Sequence, residues 1–134
     1  MIVMEKNLED FGILNPLGKK AVREFSTGAT RNDDKEKLDY DGFLSPSALH
    51  EFALYMHSHR KQSDGNLRAS DNWKKGISEE VYMKSLSRHY IDLWRLYKGE
   101  VVINPDNNLP STKNELLCAI LFNTQGLLHE SLKK

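Results

Sequence analysis

Apolar residues return at helical spacing in three stretches of the chain, with polar residues filling the positions between them. In the first, Ala48, Leu49, Phe52, Ala53 and Met56 form one stripe. Ser45 suits the N-cap and Pro46 the first helical position, which predicts a helix over 46–61. In the second, Tyr82, Leu86, Tyr90, Leu93, Trp94 and Tyr97 share a face. Ser78 is its expected cap, Glu79 and Glu80 suit the positive end of the helix dipole, and Gly99 stops it, predicting 79–98. The third, 116–128, is the most apolar run of the chain; with Ser111 as cap it predicts a helix over 112–131, the most buried of the three.

The intervening segments read as loops. Residues 25–40 cluster Gly, Thr, Asn and Asp with little apolar periodicity, an ordered or ligand-dependent loop. Residues 62–72 are polar, and turn residues crowd 104–108. No alternating strand pattern of any length occurs, although 100–104 can pair briefly. A short helix is possible over 18–24. The expected fold class is therefore all-α, a helical bundle with an irregular N-terminal segment. A chain of 134 residues implies one domain, with 1–44 as the N-terminal segment and 45–134 as the helical core.

Charge and composition narrow the class. Nineteen basic and nineteen acidic residues cancel, which argues against a dedicated nucleic-acid binder. The lone Cys118 excludes a disulfide framework and fits a reducing compartment. The first residues lack the long apolar core of a signal peptide, and no window is apolar enough to span a membrane. The expectation is a cytoplasmic protein with no membrane partner.

Several polar residues fall on the helices. Glu115 and Asn123, eight positions apart, share a face with the small residues Cys118, Ala119 and Gly126. A network to neighbouring helices is the plainer reading of that pair, and the floor of a pocket the sharper one. Glu51, Tyr55 and His59 form a stripe at four-residue spacing on the first helix. His89 and Asp92 are adjacent on the second and are more often a capped structural pair than a ligand or base; Arg88, also there, can span to Glu115 or Asp92 as a buried ion pair. Trp73, in the loop between the two, is either an anchor packing on the bundle or a platform for a base.

Read in order, the segments EFSTGATRND, KLDYDGFLSPSALHEFA, DNWKKGI, YMKSLSRHYIDLW and ELLCAILFNTQGLLHE resemble one family. It is the N-terminal-type domain of the phage dATP/dGTP pyrophosphohydrolases, among the MazG-like all-α nucleotide pyrophosphohydrolases. The likeness covers residues 25–130 and rests on S-T-G-A-x-R, the N-W-x-K-G loop and S-x-x-R-H on the second helix. It implies a MazG-like helical bundle that oligomerises as a dimer or tetramer and binds a nucleotide. The implied reaction is metal-dependent hydrolysis of purine deoxynucleoside triphosphates to the monophosphate and pyrophosphate, with Mg²⁺ or Mn²⁺. Thr27, Gly28 and Arg31 match the first motif; Asn72, Trp73 and Lys75 the second; Arg88 and His89 the third; Glu115 and Asn123 the last helix.

The chemistry sorts these residues into roles. Phosphoanhydride hydrolysis needs divalent ions held by carboxylates, and basic groups to stabilise the leaving pyrophosphate. Glu51, Asp92 and Glu115, one from each helix, are the expected metal ligands, and Glu51, His89 and Glu115 the expected catalytic groups. Arg31, Lys61, Lys75 and Arg88 are the expected phosphate clamps. Thr27, Gly28, Asn72, Trp73 and Asn123 complete the expected substrate contacts.

Two departures bear on turnover. The broader pattern carries an E-x-x-E pair on an early helix and an E-x-x-D pair on a later one. Here Leu54 follows Glu51, and Cys118 follows Glu115, at the paired positions. The alternative function is a protein that binds and sequesters the nucleotide on the same scaffold without hydrolysing it.

Overall fold

A computed structural model describes residues 22–133. It is 54% helical and also holds two small antiparallel sheets. The all-α expectation is therefore corrected to a small mixed α/β protein. Strands of two or three residues are too short to leave an alternating pattern, so only the brief pairing over 100–104 was expected. The chain divides into two compact units, Met1–Ser45 and Pro46–Lys134.

In the first unit, β1 (Val22–Glu24) pairs with β2 (Thr30–Asn32) in the register Val22↔Asn32, Arg23↔Arg31 and Glu24↔Thr30. The segment expected to be a loop is thus a hairpin, and Val22–Glu24 is strand, not helix; the rest of that predicted short helix lies outside the described residues. The turn explains itself chemically. Phe25 N donates to Ala29 O at 2.8 Å and Gly28 N to Phe25 O at 2.9 Å. Gly28 takes φ +87, which its lack of a Cβ allows without strain. A single turn of helix, α1 (Tyr40–Phe43), follows, with the Asp39 carboxylate accepting from Gly42 N at 2.9 Å.

The second unit contains α2 (Pro46–Ser58), a 3₁₀ turn (Asn72–Lys75), α3 (Glu79–Tyr97), the hairpin β3 (Ile103–Asn104) and β4 (Leu109–Pro110), and α4 (Lys113–Leu132). Ser78 caps α3, its hydroxyl accepting from Val81 N at 3.4 Å. The cap of α4 is Thr112 rather than Ser111. Its hydroxyl accepts from Glu115 N at 3.1 Å, and the Glu115 carboxylate accepts from Thr112 N at 3.5 Å. This reciprocal pair is a capping box.

Helix α4 is the most buried element, through Leu116, Cys118, Ala119, Asn123 and Gly126. Tyr82 of α3, 1% exposed, is the largest side chain enclosed. It sits directly on Gly126, where a Cβ would overlap the ring, and edge-on to Phe122 at 5.9 Å between centroids. Gly126 therefore lets α3 and α4 approach closely. The hairpin between them is set by its turn. Asn104 O accepts from Asn108 N at 2.8 Å, Asn104 Oδ1 from Asp106 N at 2.9 Å, and Asn108 takes φ +58. Among the described residues, no helix is long and apolar enough to cross a membrane.

Candidate functional site

The four-residue spacing of Glu51, Tyr55 and His59 places them on one side of α2 and of the turn that ends it, His59 lying just past Ser58 with its N–H still donating to Tyr55 O at 3.2 Å. They face a polar cavity of about 620 Å³ whose opposite wall is the start of α4, with Thr112, Glu115 and Cys118. The β3–β4 hairpin closes it with Asn104 and Asn107. An adjoining cavity of about 130 Å³ shares Tyr55, His59, Asn104 and Glu115 and adds His89, Asp92 and Asp106. Leu54 and Cys118, the departures noted above, line the larger of these two alongside Glu51 and Glu115. All four positions of the two expected acidic pairs thus meet at one cavity, and two of them hold carboxylates.

On the other side of Tyr55 and His59 lies a third cavity, about 570 Å³, of opposite character. Phe52, Met56, Trp73, Ile77 and Phe122 make it apolar; Asn72 and Gln125 offer amides, and Arg60 and Arg68 add positive charge. Trp73 is held edge-on by His129 at 4.9 Å and by Phe122 at 6.4 Å. Arg60 Nε donates to Arg68 O at 2.8 Å, which ties the end of α2 to the loop beyond it. Neither arginine is in an ion pair among the described residues.

Electrostatics follow from burial. Desolvation pushes the Tyr55 phenol up, reinforced by Cys118, Glu115 and Asp106 nearby, so it remains a neutral hydroxyl. Burial pushes the Cys118 thiol up, and Glu51 adds to this, so it remains a thiol. Burial lowers His89 below the ordinary value; Asp92 and Asp106 oppose the shift and Arg88 adds to it. His89 is therefore a neutral imidazole, and its buried Nδ1 has no partner among the described residues.

The structure gathers some expected residues and separates others. Glu51 and Glu115 face one cavity, and His89, Asp92 and Glu115 its neighbour. Asn72 and Trp73 line the aromatic cavity. Asn123 lines none of the three: it is 4% exposed and its amide donates to Ala119 O at 2.8 Å, one turn back on its own helix. Neither the network to neighbouring helices nor the pocket floor expected of that residue is found; a bond within its own helix satisfies it. Lys61, Lys75 and Arg88 are exposed and also line none of them. Thr27, Gly28 and Arg31 belong to the first unit, where each is exposed and Gly28 serves the turn.

The metal set needs the same adjustment. Among the described residues, no three His, Cys, Asp or Glu side chains are grouped to hold an ion. Asp92 is engaged by Arg95 at 3.4 Å, so it is not a free ligand. Glu51 and Glu115 are in no ion pair among the described residues. A magnesium-type ion characteristically takes one or two carboxylates and completes its shell with water and substrate phosphate. Glu51 and Glu115 match that donor set in kind and face one cavity, although the Glu115 carboxylate also accepts from Thr112 N.

Tyr55 and His59 carry no expected site role from sequence, although their spacing from Glu51 is the signal that marks them. Nor do Phe122, Gln125, Arg60 and Arg68, which reach the aromatic cavity from separate segments and share no local pattern. No family model, curated protein or solved structure matches the chain.

Proposed function

We propose that this protein hydrolyses purine deoxynucleoside triphosphates between the α- and β-phosphates, releasing the monophosphate and pyrophosphate. The observation that carries this reading is the pairing of two unlike cavities across one wall, Tyr55 and His59. The aromatic cavity suits a base: it has stacking surfaces in Trp73 and Phe122 and amide edges in Asn72 and Gln125. Arg60 and Arg68 supply charge for phosphate. The carboxylate cavity repels phosphate unless a cation neutralises it, and Glu51 and Glu115 are the residues that would hold Mg²⁺ or Mn²⁺. Such an ion offsets charge on phosphate oxygens and acidifies bound water. Tyr55, a neutral phenol, can donate to a phosphate oxygen at the shared wall. The neutral His89, in the adjoining cavity, can accept a hydrogen bond there.

A second reading, binding without turnover, is favoured by one observation. Leu54 and Cys118 stand in the carboxylate cavity where acidic ligands are expected, and the Glu115 carboxylate is already used by the capping box. A cytoplasmic setting, where deoxynucleotides are made, fits either reading. A second copy of the chain is proposed to cover the exposed aromatic residues of α3, Tyr90, Trp94 and Tyr97, giving a dimer or tetramer. The test of function is incubation with each deoxynucleoside triphosphate and Mn²⁺, followed by separation of pyrophosphate from orthophosphate. Pyrophosphate supports hydrolysis; saturable binding without product supports sequestration; the absence of both product and binding overturns the nucleotide reading.

A further inference from the structure

Three cavities of the second unit meet at Tyr55 and His59, and these two residues line all of them. This inference rests on the hydrolase reading above. A nucleotide with its base among Trp73 and Phe122 and its outer phosphates beside Glu51 and Glu115 must cross that ridge. The part that would cross is the sugar and the first phosphate, which would bring the α-phosphorus beside His59.

The imidazole of His59 is held in one orientation. Its ring lies against the Tyr55 ring with centroids 4.0 Å apart and planes inclined by 34°. Its Nδ1 is 2.8 Å from Tyr55 O and 3.1 Å from Ser58 Oγ. A carbonyl oxygen can only accept, and Ser58 Oγ donates its own proton to the same Tyr55 carbonyl at 2.8 Å. Both neighbours of Nδ1 therefore act as acceptors, and the network assigns the proton to Nδ1. Nε2 is left as the atom with a free lone pair, as in sites where an anchored histidine serves as a base or ligand.

We propose that His59 is the general base of the reaction. The oxygen of a water forms a bond to the α-phosphorus while its proton passes to His59 Nε2. The bond between that phosphorus and the α–β bridging oxygen breaks, and its electron pair leaves with pyrophosphate. The imidazolium then returns the proton to solvent, so the cycle is balanced without any redox partner. His89, expected from sequence to take a catalytic role, lines the 130 Å³ cavity on one flank of the ridge and neither of the two large ones.

Two variants test this. In His59→Asn, the amide Nδ2 takes the place of Nδ1 and still donates to the Tyr55 carbonyl, so the end of α2 is kept while Nε2 is removed. In His59→Ala the whole ring is removed, leaving space for free imidazole. Pyrophosphate release by His59→Asn should fall by about 10²–10⁴-fold in kcat, the range for a lost general base, with a smaller change in KM. Added imidazole should restore part of kcat in His59→Ala. Wild-type kcat in His59→Asn, or a loss confined to KM with no imidazole rescue, overturns the role of His59 and leaves the hydrolase reading standing. Wild-type protein that releases no pyrophosphate overturns both.

Discussion

On one side of Tyr55 and His59 the second unit presents carboxylates; on the other it presents aromatic rings. The carboxylate cavity is built by regular spacing, with Glu51, Tyr55 and His59 at four-residue intervals along α2 and just past its end, facing the first turns of α4. The aromatic cavity is assembled from pieces: the opposite side of α2, a 3₁₀ turn, a loop tied back by Arg60, and Phe122 and Gln125 from the middle of α4. The difference teaches where each half of the proposed chemistry resides. Regular helices fix the distance between Glu51 and Glu115, which a metal-assisted step needs. Loop residues set the shape and charge that choose a ligand.

Four perturbations break or sharpen that contrast, the largest first. Glu115→Gln removes a charge from the carboxylate cavity, yet glutamine also serves a capping box, so α4 should survive. Pyrophosphate release and Mn²⁺ affinity should fall together by roughly 100-fold or more, the upper end for residues one shell further from a metal. Unchanged turnover in this variant would leave Glu115 with only its capping role. Trp73→Ala acts on the other cavity. It should weaken nucleoside and triphosphate binding alike, by about 10–100-fold if a base stacks there, and leave Mn²⁺ affinity intact. Titration of both ligands by calorimetry separates these outcomes.

Charge at the aromatic cavity gives a third and smaller effect. Arg68→Ala should weaken triphosphate binding by about tenfold and nucleoside binding hardly at all. Lys75→Ala serves as its control, because Lys75 lines none of the cavities and an exposed change is worth about 0.5 kcal/mol or less. Equal losses for the two variants would return Lys75 to the site and spread the phosphate contacts beyond the cavity.

The fourth concerns pH. His89 has a folded pKa held below its ordinary 6.5 by burial, so the unfolded chain takes up its proton first as pH falls. Its contribution to stability is present above about 6.5 and is lost as pH drops through that value towards the lower folded pKa. Thermal midpoints of the wild type should therefore fall between pH 7.5 and pH 5 more steeply than those of His89→Gln. Parallel curves would mean that His89 is not desolvated in solution.

Reading the chain as a sequence went furthest where spacing alone decides structure. The three long helices were predicted at 46–61, 79–98 and 112–131 and occur at Pro46–Ser58, Glu79–Tyr97 and Lys113–Leu132. It failed on the first hairpin, because β1 and β2 each span three residues and carry no period; for the second, the brief pairing expected over 100–104 beside the N-P-D-N-N turn is met by β3, while its partner β4 was not foreseen. For the site, the stripe of Glu51, Tyr55 and His59 was visible, while the bonding that gives His59 its bare nitrogen depends on backbone atoms that no pattern shows. Asn123 misled because an amide on a buried stripe looks like a ligand, whereas a bond to the carbonyl one turn back satisfies it locally.

The central claim is that a triphosphate lies across Tyr55 and His59 and is attacked at its first phosphorus. Hydrolysis in water enriched in heavy oxygen tests this most directly. Mass spectrometry of the products should find the label in the deoxynucleoside monophosphate and none in the pyrophosphate. Label in pyrophosphate, or release of labelled orthophosphate in place of pyrophosphate, would contradict it.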